Sequence, residues 1–486
     1  MNLATAISRS KKHLNISFIL SLCILFSVQL EAQNYKTNSS SYLDSCILSD
    51  MDIGHIAGLS ASLIKGGEVR WIGTYGTANF ELEIPVDTST IFMIASISKT
   101  ITVTALMQLW EKDSFELDDD INDYLPFDVR NPNFPDDPIT FRMLCTHSSS
   151  IKDNWSILFE YINMDPLIPL GEYLFNYLDP SGSYYNQNLN FYNEAPGSNY
   201  HYCNVSTALI GYLTEVIGDD PFFDQTNDRI FDPLQMDQTT WFYSELDTMN
   251  AAMTYHWNGS SYVPEGFISG VDYPAGDLKT SVDQLSKFLL SYMNGGTYMG
   301  VEILESATVD SILSLQIPSI EPTQGLIWRK GVLGDGRTIW GHSGSWYGIM
   351  TGMWFCPDDS TAVNLFANCN NWTIGSKIFN YLFDYVRDSI NVTTVPVFKA
   401  VQSDILINTW PNPVSDVLTI EYYLDRPSFI TINIFNNFGR LEDQISLKQH
   451  EGKNETIWNA ERLPAGIYYI QLKTDYGTMT KKMIKI

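Results

Sequence analysis

Ser96 and Lys99 are the residues of this sequence whose types and spacing most directly suggest chemistry. They stand where an extended apolar run, Ile91-Phe92-Met93-Ile94-Ala95, gives way to a helical pattern. A serine at such a junction lies near a helix N-terminus, where free backbone N–H groups favour negative charge. A lysine three residues further on projects on the same face of the helix. An ammonium beside a hydroxyl, both partly removed from water, can make serine a nucleophile.

The spacing Ser-x-x-Lys has little weight alone, because it occurs four times in the chain. Ser8 lies in a basic leader, Ser62 in a strand-like stretch and Ser149 in a serine-rich loop. Only Ser96 combines the spacing with a strand-to-helix setting. For the isolated motif, a helix-capping serine followed by a surface lysine is the alternative interpretation.

Two later motifs could complete a serine hydrolase site, which needs a proton route and donors for the oxyanion. Tyr202-x-Asn204 precedes a helical pattern, so the phenol could shuttle the proton of Ser96 and the amide could orient Lys99. Gly341-His342-Ser343-Gly344 follows on a strand, with a cationic or donating side chain before a hydroxyl and a glycine. Taken singly, a tyrosine before a helix is a packing residue and a strand histidine is structural.

With these three motifs in order, the sequence resembles the serine penicillin-recognising enzymes, specifically their class C β-lactamase-like branch. That branch includes D-alanyl-D-alanine carboxypeptidases, D-aminopeptidases and esterases. Its signatures are Ser-x-x-Lys, Tyr-x-Asn and Lys/His-Thr/Ser-Gly. Residues 73–79, 144–151 and 275–281 also look similar to family segments, and the resemblance spans roughly residues 45–390.

The resemblance implies acyl transfer without a cofactor or metal. Ser96 would attack a carbonyl, Lys99 and Tyr202 would share general-base and general-acid duty, and water would release the acyl group. The backbone N–H groups of Ser96 and Ser345 would hold the oxyanion. The substrate would be held by a set of supporting residues, namely Asn204, His342, Ser343 and Gly344.

Two departures from the family pattern bear on the substrate. Class C β-lactamases carry lysine where this chain has His342, which favours a peptidase or esterase acting on a D-amino-acid peptide or a small ester. The Asn/Tyr-rich stretch 181–193 is longer than expected and could reshape the pocket rim. A true β-lactamase and a catalytically silent surface binding protein of the same fold remain the alternatives.

Composition narrows the possible partners to small molecules or peptides. The 486 residues carry a formal charge of −27, which argues against nucleic acid and anionic membranes. The cysteines left after a leader would be scattered and odd in number, so no disulfide framework is predicted, although one bridge stays open. No metal-binding motif is found, and no stretch beyond the leader is long and apolar enough to span a bilayer.

The elements that must position these motifs fit an α/β (α+β) β-lactamase/transpeptidase-like fold. A hairpin within residues 59–79, helical patterns, a strand meander and a closing helix predict one antiparallel sheet joined first strand to last. The loop-rich middle of the chain would form a helical lobe. Helices are predicted at residues 99–112, 205–217, 282–293 and 374–387, and later strands at residues 338–340, 349–356 and 362–368.

The two ends of the chain predict export. Residues 1–32 have the basic region, apolar stretch and cleavage site of a signal peptide. The hydrolase domain would occupy residues 40–390, with a linker over 391–404. Residues 405–486 have the pattern of a small all-β sandwich and resemble a type IX secretion C-terminal sorting domain, through stretches 410–416, 434–440, 463–470 and 480–482. This resemblance implies passage through the periplasm to the cell surface or the medium, with the type IX machinery as a partner.

Overall fold

A computed structural model describes residues 41–390 and 407–486, apart from residues 425, 437–440 and 475–477. The chain forms two compact units, Met1–Asn391 and Val392–Ile486. The predicted signal peptide and linker lie outside the described residues. The domain boundaries given above stay predictions.

The described part of the first unit contains both helices and strands. Its helices are α1 Ser41–Gly54, α2 Ser98–Trp110, α3 Phe141–Cys145, α4 Leu170–Leu178, α5 Asn204–Gly218, α6 Phe222–Thr226, α7 Val282–Met293, α8 Ser306–Ile312 and α9 Trp372–Asp388. Its strands are β1 Gly58–Lys65, β2 Glu68–Asn79, β3 Ile84–Pro85, β4 Phe92–Met93, β5 Glu160–Ile162, β6 Thr254–Trp257, β7 Tyr262–Gly266, β8 Ile268–Gly270, β9 Lys279–Thr280, β10 Thr297–Tyr298, β11 Val301–Glu302, β12 Arg329–Val332, β13 Thr338–Trp346, β14 Ile349–Cys356 and β15 Thr361–Ala367.

A seven-stranded antiparallel sheet organises this unit, in the order β12-β13-β14-β15-β1-β2-β3. The first strand pairs with the last, Leu59 opposite Ala367 and Lys65 opposite Thr361, as the sequence pattern predicts. Gly66 and Gly67 take positive φ of 62° and 79° between β1 and β2, the turn conformation that glycine adopts without steric cost. Strand β13 continues six residues beyond the predicted end at residue 340, so it carries the whole third motif.

Both faces of the sheet are covered, and β1 shows why. Leu59 and Leu63 pack in a core that includes residues of α1 and α9. Ser62 faces the other side, where its hydroxyl is hydrogen bonded to Ser286 of α7 at 2.8 Å. Apolar and small polar residues therefore alternate along β1, yet nearly the whole strand is buried.

Helix α2 lies in the interior between the sheet and the helical lobe. Every residue from Ser98 to Leu109 is buried, so no face of this stretch is exposed to solvent. It begins one residue earlier than predicted. A 3-10 turn, Ala95–Ile97, stands between β4 and α2, and this turn contains Ser96.

The second unit is a small all-β sandwich in its described residues. Its strands form a three-stranded sheet, β16-β17-β20, and a four-stranded sheet, β19-β18-β21-β22. Apolar side chains from both sheets form one core, including Ile420, Ile432 and Ile470. The strands are β16 Ile407–Trp410, β17 Val417–Leu424, β18 Ser428–Asn436, β19 Leu441–Gln449, β20 Gly452–Asn459, β21 Gly466–Lys473 and β22 Thr478–Lys485. Two predicted turns, at residues 438–440 and 476–477, lie outside the described residues.

Among the described residues, no helix is long and apolar enough to cross a membrane. The five described cysteines, Cys46, Cys145, Cys203, Cys356 and Cys369, are all free.

Candidate active site

Ser96 lies in a backbone turn that is held from several sides. Ala95 precedes it with a positive φ of 47°, a conformation unusual for a residue with a side chain. The Ser98 hydroxyl donates to the Ala95 carbonyl oxygen at 2.6 Å and accepts from the Leu278 N–H at 3.0 Å. The sequence pattern places Ser96 at a strand-to-helix junction. The structure refines that placement, because the 3-10 turn rather than the helix itself carries the serine.

Lys99 is fully buried and directed at Ser96. Its Nζ lies 3.3 Å from the Ser96 Oγ, 2.7 Å from the Asn204 Oδ1 and 2.5 Å from the Ala275 carbonyl oxygen. The Nζ thus has three oxygen partners within hydrogen-bond distance, which satisfy this buried polar group. The one-turn spacing therefore does bring Lys99 to the serine. The contribution of Ala275 was not anticipated from sequence.

Asn204 is oriented by Asp153, a residue that sequence reasoning missed. The Asp153 Oδ2 accepts from the backbone N–H and the side-chain Nδ2 of Asn204, both at 2.9 Å. Its Oδ1 accepts from the Val205 N–H at 3.0 Å and the Cys203 Sγ at 3.2 Å. Because the amide nitrogen of Asn204 is held by Asp153, its oxygen is left to face Lys99. The carboxylate also satisfies free N–H groups at the start of α5.

Tyr202 lies over Lys99, with its ring centroid 5.0 Å from the Nζ. In the described part of the chain no hydrogen bond joins its hydroxyl to Ser96 or Lys99, so the contact between these residues is through the ring. The Tyr202 ring also lies beside the buried ring of His147, with the two ring centroids 4.5 Å apart. The His147 Nδ1 accepts from the Cys203 N–H at 3.3 Å and so fixes the backbone next to Tyr202. Burial lowers the pKa of His147 well below its usual range, which keeps this imidazole neutral.

Gly344 allows β13 to approach the turn that holds Ser96. A Cβ at this position would lie 2.3 Å from the Ile94 carbonyl oxygen, 2.4 Å from the Thr351 Oγ1 and 3.0 Å from the Ser96 backbone nitrogen. The family resemblance implies that Gly344 helps to hold the substrate. In the structure, the missing side chain of Gly344 leaves room for the backbone of Ile94 and Ser96 to lie close to β13. The Ser96 N–H is thereby brought beside the strand that carries Ser345.

His342 is buried and neutral. Burial, with a smaller effect of the Lys99 charge, lowers its pKa to about 3. Its Nδ1 donates to the Ser343 carbonyl oxygen at 2.8 Å, and its buried Nε2 finds no partner within the described residues. Of the two options that the sequence left open, a cationic or a donating side chain, this low pKa favours the donating one.

Ser96 lies between two depressions in the surface. A cavity of about 380 Å³ on one side is lined by Ser96, Tyr202, Asn204, Ala275 and Ser345, together with several aromatic and acidic residues. Tyr192, from the long stretch 181–193, is among them. A groove of about 530 Å³ on the other side is lined by Ser96, Tyr202, Thr323, Arg329, Lys330, His342, Ser343, Gly344, Ser345, Trp354 and Trp372. The candidate residues from all three motifs thus converge on one place, although their roles stay predictions.

The sequence matches the Beta-lactamase family over residues 43–378. Residues 408–486 match the secretion system C-terminal sorting domain. Both matches agree with the resemblances drawn from the motifs.

Curated relatives are distant. A Beta-lactamase-like protein 2 of Dictyostelium discoideum is 24% identical over 354 residues, which are 67% of this chain and 58% of that protein. Protein flp of Staphylococcus aureus (strain MW2) is 24% identical over 260 residues, 53% of this chain and 49% of that protein. The chain therefore spans about half the length of the curated relatives that it matches.

Solved structures share the fold. A penicillin-binding protein homologue of Pyrococcus abyssi, described as octameric, aligns with a TM-score of 0.57 and 19% identity, covering 91% of this chain and 100% of that one. A class C beta-lactamase of Rhodobacter sphaeroides aligns with a TM-score of 0.54 and 20% identity, covering 72% of this chain and 100% of that one. D-amino acid amidase of Ochrobactrum anthropi SV3, complexed with L-phenylalanine amide, aligns with a TM-score of 0.55 and 20% identity, covering 72% of this chain and 99% of that one. These likenesses confirm the predicted fold class.

Proposed function

The chain belongs to the beta-lactamase family, and from this premise we propose that it is a serine hydrolase that cleaves an amide or ester through an acyl-enzyme on Ser96. The observation that carries the proposal is the position of Lys99. Its buried Nζ lies 3.3 Å from the Oγ of Ser96, and Ser96 lines the cavity of about 380 Å³. A lysine amine held against a serine hydroxyl that lines a cavity is an arrangement that can activate the serine as a nucleophile.

The reaction follows from these contacts. The Ser96 Oγ forms a bond to the substrate carbonyl carbon while its proton passes to Lys99 or Tyr202, whichever is unprotonated. The oxyanion accepts from the backbone N–H groups of Ser96 and Ser345. The same proton then goes to the leaving nitrogen or oxygen as the carbonyl–leaving-group bond breaks. Water, deprotonated in the same way, releases the acid and restores the Ser96 hydroxyl.

The substrate class is a D-amino-acid peptide or a small ester. A neutral His342 provides no positive charge for a substrate carboxylate, whereas a lysine at that position would. Cations do line the groove, because Arg329 and Lys330 are both present there. A carboxylate on the leaving group would therefore be met by Arg329, whose guanidinium is positioned by the Thr323 hydroxyl at 3.0 Å. Peptides and penicillins both carry such a carboxylate, so Arg329 suits either, and the neutral His342 is the observation that favours a peptidase or esterase over a β-lactamase.

The C-terminal sorting domain implies export to the medium or the cell surface. We propose that residues 1–32 first direct the chain to the periplasm and that the type IX machinery then recognises residues 405–486. Fusing residues 405–486 to a periplasmic reporter in a host with that machinery tests the second step. Reporter activity retained in the periplasm would contradict it.

Activity profiling separates the candidate activities. The purified protein and its Ser96→Ala variant are compared with a fluorescent penicillin, p-nitrophenyl esters and D-amino-acid p-nitroanilides. Turnover of anilides or esters that the variant lacks is expected, with penicillin forming at most a long-lived adduct. Rapid penicillin turnover would instead identify a β-lactamase. No reaction with any probe would point to a binding protein and overturn the proposal.

A further inference from the structure

The cavity beside Ser96 is walled by carboxylates. Asp153, Glu160, Asp272 and Asp277 all line it, whereas Lys152 is the single basic residue of that lining among the described residues. The opposite groove has the reverse polarity, with Arg329 and Lys330 and no carboxylate in its described lining. Ser96 therefore lines both an acidic cavity and a groove with two basic side chains, one of which, Arg329, also lies 3.7 Å from Glu321.

Two of the four carboxylates, Asp153 and Asp277, accept hydrogen bonds from other residues of the protein. Asp153 accepts four hydrogen bonds from residues 203–205 at the start of α5. Asp277 is only 6% exposed, its Oδ2 accepts from the Gly270 N–H, and the Lys279 charge opposes its own. Its Oδ1 accepts no hydrogen bond within the described residues.

Neither of the other two carboxylates forms an ion pair within the described residues. Asp272 receives a hydrogen bond only from its own backbone N–H, among the groups that the structure describes. Glu160 accepts from the Trp346 indole. Burial raises the pKa of Asp272 to about 6 and also raises the pKa of Glu160, which reflects the cost of leaving these charges unpaired. Asp272 loses its proton above about pH 6 and is therefore ionised at neutral pH.

The lysine side chains near this cavity contact groups other than Asp272 and Glu160. The Lys99 Nζ contacts oxygen atoms of Ser96, Asn204 and Ala275. Lys279 donates to the carbonyl oxygens of Trp241 and Asp277. Lys152 lies over the Tyr192 ring at 5.4 Å. The Lys99 charge still lowers the pKa of Asp272, but none of these lysines forms an ion pair with Asp272 or Glu160 in the described part of the chain.

Aromatic rings complete the wall. Trp155 and Trp346 stack with centroids 5.7 Å apart, and both line the cavity together with Tyr192. The Trp155 side chain is also well exposed, at 59%. Aromatic faces combined with unpaired carboxylates attract organic cations, because both the ring quadrupole and the carboxylate favour positive charge.

We propose that this cavity binds a positively charged amine carried by the acyl part of the substrate, so that the protein acts on amino-acid amides, esters or peptides whose α-amino group is free. The inference rests on the proposed function and narrows its substrate class. Asp272 is the principal specificity residue, since its unpaired carboxylate gains a partner when the ammonium enters. A substrate whose amine is acylated loses that ion pair and leaves the carboxylate buried without a partner.

Binding to the Ser96→Ala protein tests this without requiring turnover. Titration calorimetry at pH 7.5 compares phenylalaninamide, as each enantiomer, with N-acetylphenylalaninamide, which has the same ring and amide but no charge. One enantiomer of the cation is expected to bind at least about tenfold more tightly than its acetylated form. Adding Asp272→Asn should reduce that ratio by about tenfold, and adding Glu160→Gln should reduce it less.

A matched control is Asp136→Asn, which removes an exposed carboxylate outside the cavity lining and should leave the ratio unchanged. Equal binding of charged and acetylated ligands, or an unchanged ratio in both cavity variants, would overturn the inference. So would the absence of binding by either enantiomer at millimolar concentration. Failure of the proposed function shows itself separately, as absence of Ser96-dependent turnover in the unmodified protein.

Discussion

Asp153 is predicted to control catalysis without touching the substrate carbonyl, and the Asp153→Asn variant tests this. The carboxylate accepts four hydrogen bonds, from Asn204 N, Asn204 Nδ2, Val205 N and Cys203 Sγ, at 2.9 to 3.2 Å. An asparagine keeps one oxygen but replaces the other with a donor. Two of the four donors then lose their acceptor, and the start of α5 loses a favourable negative charge.

The magnitude follows from these contacts. A hydrogen bond to a charged group contributes about 1.5–3 kcal/mol net, so losing two of them in this partly buried setting should lower the free energy of unfolding by about 3 kcal/mol. The effect on activity arises separately. Once Asp153 no longer holds the Asn204 amide nitrogen, the Asn204 oxygen is not constrained to face Lys99. A displacement of this kind lowers kcat by about 10²-fold while KM changes little.

The assay is steady-state hydrolysis of a p-nitrophenyl ester, with unfolding followed in urea on the same samples. Thr140→Ala is the matched control, because the Thr140 hydroxyl caps α3 through the Met143 N–H at 3.3 Å and does not line the cavity or the groove. The control should lose about 1 kcal/mol of stability with kcat unchanged. If Asp153→Asn is destabilised as expected but keeps kcat within twofold of the control, the positioning argument is refuted.

Further predictions concern the third motif and the acidic wall. Gly344→Ala should abolish measurable turnover, because its Cβ would lie 2.3 Å from the Ile94 carbonyl oxygen, whereas Gly334→Ala, with no atom within 4 Å, should be silent in the same assay. Asp272 has a pKa of about 6 against its usual 3.8, so the folded state binds more protons between these values and loses stability as pH rises through them. Asp272→Asn should therefore be more stable than the unmodified protein by about 3 kcal/mol at pH 8 and equally stable below pH 4, measured by urea unfolding; lower stability at pH 8 would contradict this. His342, with a pKa near 3, should add no limb to the pH–rate profile between pH 5 and 8, so His342→Gln should leave the shape of that profile unchanged.

Much of the framework could be predicted because it depends on local patterns. The hairpin of β1 and β2 follows from alternation around Lys65-Gly66-Gly67, and α7 was predicted at its observed bounds because Ser281 and residues 294–296 mark its ends. Three motifs in a recognisable order then located the candidate site. Ser96 and Lys99 meet as expected, since one helical turn separates them.

What could not be predicted depends on contacts between distant parts of the chain. Asp153 lies 51 residues from Asn204 in a loop without regular pattern, so nothing local indicates that it holds the amide. The neutral state of His342 follows from burial, which the residue type alone does not reveal. Likewise, Glu160 and Asp272 become one acidic wall only because β5 and β8 pair in antiparallel fashion.

Covalent capture of the nucleophile tests the central claim most directly. The protein is treated with a fluorophosphonate, and the adduct is located by peptide mass spectrometry. The account predicts one adduct on Ser96, its loss in Ser96→Ala, and its persistence in Ser149→Ala, which alters another Ser-x-x-Lys serine of the chain. An adduct on a different residue, or no adduct in a folded protein that hydrolyses esters, would contradict the account.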